Sequence, residues 1–323
     1  MKLSRRHVLI GAGCALAASG MPAIAAETFV IGGPAFGTSW RLTLPIGSQA
    51  SSAKTAIEKE IQFVDERMSP FKSGSELSLF NLSGTTDWFP ISPETSDVVG
   101  NALLVAERSS GAFDPTIGPL VGRYGFGPIT NVAIGDFTGL DLRAGAIRKN
   151  NHNLSVDLCG IAKGYTLDCV IEALERLGER SYLLELGGEV FSRGRHPTGR
   201  AWQVGIEKPV AGPLQFQRLV ELKSKALATS GDVENSYEIN GLRYSHIMDP
   251  RAGEPVKNNI ASVSVLASNG VMADALATTL MVMGSEDGAE YAEREKIAAL
   301  FIVRDGSFLR EVMSGGFAAH VLT

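Results

Sequence analysis

The sequence predicts an α+β fold of mixed sheets with packed helices, a single compact unit over residues 27–323. Two observations predict the class. Strand patterns come in runs, at Tyr182 to Leu186, Trp202 to Glu207 and Arg218 to Leu222, where a doubly wound parallel sheet would alternate each strand with a helix. Helical patterns with apolar residues three or four apart lie on both sides of those runs. The length fits one large domain or two intimate ones, and an apolar share of 44% can fill a substantial core.

Residues 1–26 are expected to be a removable export signal. Ser4-Arg5-Arg6 precedes an uncharged run to Ser19, and Ala23-Ile24-Ala25-Ala26 is a small-residue cleavage pattern, with the cut near Ala25 or Ala26. The paired arginine is of the twin-arginine (Tat) kind. A membrane anchor is the alternative, but the apolar stretch is shorter than the ~20 residues a span needs and is rich in glycine. Cys14 follows Gly11-Ala12-Gly13, without the leucine usual at a lipid-anchor site, so no such anchor is expected. No other segment is long and apolar enough to cross a membrane, which places the mature chain, soluble, in the periplasm. The formal charge of −5, from 30 basic and 35 acidic residues, gives no basic surplus for nucleic acid.

In order, Phe29 to Ile31 and Ser39 to Leu44 read as an opening hairpin. A helix from about Ser52 carries Ile57, Ile61, Val64 and Met68 on one side. Ser92-Pro93-Glu94 opens a second helix that runs toward Gly111. Phe113 to Asn153, rich in Gly, Pro and Asn, reads as a long functional loop. A strand at Leu154 to Leu158 leads into a helix from Gly160 to Leu177, stopped by Gly178. After the run of strands come a strand at Ile260 to Leu266, helices at Met272 to Met283 and Glu286 to Glu295, and a strand at Ala299 to Val303. Cys159 and Cys169 are ten residues apart around that third helix, up to ~15 Å, so no disulfide is expected between them.

Three segments carry candidate chemistry. Asp157-Leu158-Cys159-Gly160-Ile161-Ala162-Lys163 turns into a helix whose first N–H groups suit an anion, and Lys163 there opposes the helix dipole unless it faces negative charge. The plain alternative is Asp157 as a cap and Lys163 in solvent. Asp274 and Thr278, four apart on a helix, project a carboxylate and a hydroxyl toward one hard cation such as Mg2+; the alternative is capping and back-bonding. His246 and Asp249 precede a Pro250-to-Gly253 turn, a base with a carboxylate that can hold its tautomer, or else a turn in which Asp249 caps the backbone. An anion site, a hard-metal pair and a base are the parts of metal-assisted attack at phosphorus.

At these residues the chain resembles the ApbE family, the FAD:protein FMN transferases. The resemblance runs in order through Met68-Ser69-Pro70-Phe71 with Ser75-Glu76 and Phe80-Asn81, Phe113 to Leu120, Asp157 to Tyr165, Leu186-Gly187-Gly188-Glu189, Ala228 to Asp232, His246 to Gly253 and Ala273 to Gly284. It implies a T-fold-like architecture with FAD as substrate and Mg2+ held by Asp274, Thr278 and the backbone of Gly160. It also implies FAD contacts at Phe36, Met68, Ala112, Phe113, Asp114, Asp157, Lys163, His246 and Met248, with Asp274 and His246 as the catalytic residues. Cys159 stands where Gly or Ser is usual, and Phe71 where Tyr is common. The implied reaction cleaves FAD, attaches FMN to a Thr or Ser of a target flavoprotein, such as a subunit of an ion-pumping reductase, and releases AMP. A hydrolase yielding FMN and AMP, or a flavin-binding protein without catalysis, are the alternatives.

Overall fold

The computed structural model describes residues 27–130, 135–210, 212–232, 236–239 and 242–322; the expected export segment, with Arg5, Arg6 and Cys14, lies outside them. Strands β1 (Thr28–Ala35) and β2 (Thr38–Pro45) form the expected hairpin. Its two-residue loop, Phe36-Gly37, has φ of 47° and 77°. Such a primed turn matches the strand twist, but it is a strained conformation for a phenylalanine. Helix α1 (Ala50–Met68) buries Ile57, Val64 and Met68 as the spacing requires, and α2 (Glu76–Leu82) follows. After β3 (Phe89–Pro90) comes α3 (Pro93–Arg108), opened by Ser92, whose Oγ accepts the Thr95 N–H at 3.2 Å.

Residues 113–153 are not the single long loop the composition suggests. They contain α4 (Gly118–Arg123), a 3-10 turn at Phe137–Gly139, and a hairpin of β4 (Leu140–Arg143) and β5 (Ala146–Lys149) that pairs with β3. Leu140-Asp141-Leu142-Arg143 does alternate, but four residues among glycines and prolines are the shortest run that alternation can mark. Conversely, residues 154–158, expected as a strand, pair with side chains. Asn81 grips Val156 at both ends, Nδ2 donating to its carbonyl at 2.8 Å and Oδ1 accepting its N–H at 2.7 Å. The buried Lys149 Nζ donates to Leu154 O at 3.1 Å and to Phe80 O at 3.2 Å. Buried backbone groups need partners, and here two polar side chains supply them in place of a neighbouring strand.

Helix α5 (Ala162–Arg176) starts two residues later than expected and ends before Gly178, at φ 84°. Then follow β6 (Tyr182–Leu186), β7 (Glu189–Arg193), β8 (Gln203–Glu207), β9 (Phe216–Glu221), β10 (Ala226–Gly231), β11 (Ser236–Ile239), β12 (Leu242–Ser245), β13 (Met248–Asp249), β14 (Glu254–Pro255) and β15 (Ile260–Ala267). Helices α6 (Gly270–Met283) and α7 (Asp287–Arg294) precede β16 (Ala298–Asp305) and β17 (Phe308–Ser314). The sequence patterns do not predict β7, β10 to β14 or β17.

Eight strands make one antiparallel sheet in the order β1-β2-β6-β7-β10-β15-β16-β17. Both of its faces are covered. In β16, Ala299, Phe301 and Val303 join the core beneath α1, α5, α6 and α7, while Ala298, Leu300 and Ile302 join Trp202, Val204 and Val220 of the β8–β9 side. That double burial explains the unbroken apolar run of the strand. A separate apolar cluster fills the space between α1, α2, α3 and the 154–161 segment. The α+β class is as expected, and Cys159 and Cys169 are both free thiols. Among the described residues, no helix is long and apolar enough to cross a membrane.

Candidate functional site

Helix α6 is capped by Asn269, whose Oδ1 accepts the Met272 N–H at 3.0 Å. Asp274 therefore does not cap its own helix. It is buried, and its Oδ2 accepts the Gly164 N–H at the start of α5, at 3.0 Å, while Oδ1 faces Lys163 Nζ at 3.4 Å. Lys163 in turn donates to the buried carboxylate of Glu189, the first residue of β7. Two sequence readings change here. The start of α5 is not an open set of donors, because Asp274 holds one of them, and Lys163 is not a solvated lysine, because two carboxylates hold it.

One turn along α6, Thr278 Oγ1 lies 3.3 Å from Ser230 Oγ on β10. Gly160 packs beside the same threonine: a Cβ added at Gly160 would lie 3.6 Å from Thr278 Oγ1 and 3.1 Å from the Phe113 ring. Asp274, Thr278 and Gly160 thus share one corner of the molecule, and all the oxygen they offer is hard. Among the described residues no three His, Cys, Asp or Glu side chains gather as a metal site. One carboxylate with hydroxyl and carbonyl oxygens fits Mg2+, which takes few protein ligands and keeps water or phosphate for the rest, and does not fit zinc.

The loop before α4 is tied to this corner. The Asp157 N–H donates to Pro115 O at 2.7 Å, and Asp157 Oδ1 accepts the Cys159 N–H at 2.9 Å. Asp157 thereby fixes the turn that leads to Gly160; it does not cap α5, whose N-cap position is Ile161 with no side-chain cap bond. Asp114 Oδ1 accepts the N–H and Oγ1 of Thr116 at 2.7 and 2.6 Å. Burial pushes the Asp114 carboxyl above its ordinary value, and the Thr116 bonds oppose the shift. Ala112 and Phe113 are buried as well. Phe113 and Met68 belong to one apolar cluster, against which the partly buried Phe36 packs. The expected flavin contacts of these three residues therefore adjoin one another.

His246 lies in an aromatic group. Its ring is edge-on to Phe126 with centroids 6.2 Å apart, and Phe126, Tyr237, Tyr244 and Tyr124 continue as a stack. Met248 is buried at the start of β13. Asp249 does not serve as the expected holder of the histidine tautomer. Its carboxylate is turned to Arg251, accepting the backbone N–H at 3.0 Å and the guanidinium at 3.1 and 3.2 Å, which is the turn-capping arrangement across Pro250.

The ApbE family model matches residues 36–301, which contain all of these side chains. The chain belongs to the ApbE family. It is 36% identical over 308 residues to an FAD:protein FMN transferase of Vibrio cholerae serotype O1, covering 90% of this chain and 92% of that protein. It is 32% identical over 318 residues to that of Escherichia coli K12, covering 93% and 91%. Among solved structures it is similar to the flavin transferase ApbE from Vibrio cholerae, with a TM-score of 0.83, 34% identity and coverage of 91% and 99%. The apo flavinyl transferase ApbE of Pseudomonas stutzeri gives 0.81, 30%, 91% and 96%.

Two residues that touch the candidate site side chains, Glu189 and Ser230, are not marked by any local sequence signal. They lie outside the candidate set, as does Asn81, which holds Val156, although all three fall within segments that carry the family resemblance. Nothing local shows that Glu189 reaches Lys163 or that Ser230 reaches Thr278, because both contacts join distant parts of the chain.

Proposed function

We propose that this chain is a Mg2+-dependent FAD:protein FMN transferase, which cleaves FAD and attaches FMN through a phosphoester to a Thr or Ser of a target flavoprotein, releasing AMP. The observation that carries the reading is the corner of Asp274, Thr278 and Gly160 with Lys163 beside it, in a chain whose similar family members are named as that transferase. Asp274, Thr278 and the Gly160 backbone would hold the ion, which when bound neutralises charge on the FAD diphosphate.

The chain's own residues supply the rest. The Lys163 ammonium adds a second positive charge beside the diphosphate, and Phe36, Met68 and the Ala112–Asp114 loop pack the flavin. Asp157 keeps the turn to Gly160 in place, and Met248 lines the side nearer the aromatic group. His246 accepts the proton of the target hydroxyl as its oxygen bonds to the phosphorus on the FMN side. The bond from that same phosphorus to the bridging anhydride oxygen breaks, and its electron pair leaves on that oxygen as AMP.

The test is to incubate the protein with FAD, Mg2+ and a candidate flavoprotein that carries a Ser or Thr acceptor. Mass spectrometry then reads the products. FMN on the partner supports transfer, free FMN and AMP would make the protein a pyrophosphatase, and intact FAD would make it a binder.

Residues 1–26 would direct the folded protein to the periplasm by the twin-arginine route, so its targets would be exported or periplasm-facing flavoproteins, subunits of ion-pumping reductases among them. Replacing Arg5 and Arg6 with lysine is expected to hold in the cytoplasm a precursor that still binds FAD. Normal export of that variant would remove the assignment.

A further inference from the structure

Lys163, Glu189 and Asp274 come from α5, β7 and α6 and meet at one ammonium. Both carboxylates are almost fully buried, their side chains 1% and 5% exposed, whereas the lysine side chain is 26% exposed. Two buried carboxylates around one ammonium leave a formal charge of minus one in a poorly solvated place, which attracts a second cation. The ammonium lies closer to Glu189 than to Asp274, where the separation is 3.4 Å. Its firm partner is thus the carboxylate that is not the proposed metal ligand.

The β6–β7 turn is built for this. Leu186 pairs with Glu189 across a two-residue loop, Gly187-Gly188, at φ 63° and 107°. Gly187 adopts the left-handed backbone that the tight turn needs, and a Cβ there would lie 3.4 Å from both Glu189 Oε2 and Lys163 Cδ, which places the turn against the pair.

We propose that Glu189 is a positioning residue that anchors Lys163 and keeps the ammonium from saturating Asp274, so that Asp274 stays available to a divalent cation. The inference rests on the metal reading of Asp274 above. Without the Glu189 carboxylate, the ammonium is free to close on Asp274, and an entering cation must displace it.

The experiment reads Mn2+, a paramagnetic substitute for Mg2+, binding to the FAD-free protein by electron paramagnetic resonance. Glu189→Gln is expected to weaken binding about tenfold, and Lys163→Met to tighten it by about the same factor. Glu189→Asp keeps the charge but shortens the reach, so it should also weaken binding. In the Lys163→Met background, Glu189→Gln should lose most of its effect. Unchanged Mn2+ affinity in Glu189→Gln, with only a lower melting temperature, would overturn the inference and leave the metal reading standing. Equal weakening with and without Lys163 would also overturn it, since Glu189 would then act as a bare charge. If the wild type shows no Mn2+ site that Asp274→Asn removes, the metal reading itself falls, and this inference with it.

Discussion

Asp168 and Asp274 each hold the start of the other's helix. Asp168 on α5 accepts the N–H groups of Gly270 and Val271 at 2.7 and 2.9 Å, and Asp274 on α6 accepts that of Gly164 at 3.0 Å. Each aspartate follows a glycine by four residues, and those glycines face each other. A Cβ at Gly164 would lie 2.1 Å from Gly270 O, and one at Gly270 would lie 2.3 Å from Gly164 O. The proposed metal ligand is therefore part of the joint between two helices, which fixes its direction before any ligand arrives.

Gly164→Ala is expected to force the helices apart. The clash is with backbone and cannot be relieved by a rotamer, so the loss should be about 3 kcal/mol, at the upper end for overpacking. Urea unfolding measures it, and wild-type stability would show that the joint is looser than described.

Asp168 gives a dependence on pH. Burial pushes its carboxyl above the ordinary value, against the smaller opposing effect of its two N–H bonds. The native chain thus keeps this proton to a higher pH than the unfolded chain. Stability from this group is then lost as pH rises from the unfolded value through the native one. Asp168→Asn cannot titrate, so the wild type should lose stability relative to it across that window. A difference that stays flat with pH would contradict the shift.

Asn81→Ala should remove both bonds to Val156, at a cost of about 2 kcal/mol for two buried backbone groups left without their partner. The loss should be local. Amide exchange at Val156 is expected to speed up while the central strands stay protected, and unchanged exchange there would mean that the segment is held by something else.

Asn81 also shows what the sequence could and could not reveal. Helix ends were legible where the signal is local, as at Ser92 before α3 and Gly178 after α5. The 154–158 segment reads as a strand because Leu154, Val156 and Leu158 alternate with polar residues, yet Val156 and Leu154 are held by Asn81 and Lys149, which no spacing rule connects to them. Strand β10, Ala226–Gly231, is mostly Ala, Ser and Gly, which carry little strand preference, and its place between β7 and β15 makes it a strand. Within the site, the i, i+4 spacing of Asp274 and Thr278 was visible because one helix carries both. The Lys163–Glu189 contact was not, because a turn and a strand pairing bring its halves together.

His246→Ala is expected to lower the rate of transfer by about 10²- to 10⁴-fold while FAD affinity changes little, since a proton acceptor acts mainly in the transition state. The pH–rate profile should lose one limb. An unaltered profile with weakened FAD binding would move the histidine from proton transfer to substrate contact.

The most direct measurement counts FMN transferred to the partner and AMP released, for the wild type and Asp274→Asn, with saturating FAD and limiting Mg2+. Asparagine keeps the size and an acceptor for the Gly164 N–H, so the fold should survive while the anionic ligand is gone. Thr278→Val serves as the milder partner, with a loss that added Mg2+ partly restores. The expected result is one AMP per FMN attached in the wild type and neither product in folded Asp274→Asn. Transfer at the wild-type rate by that variant would contradict the account.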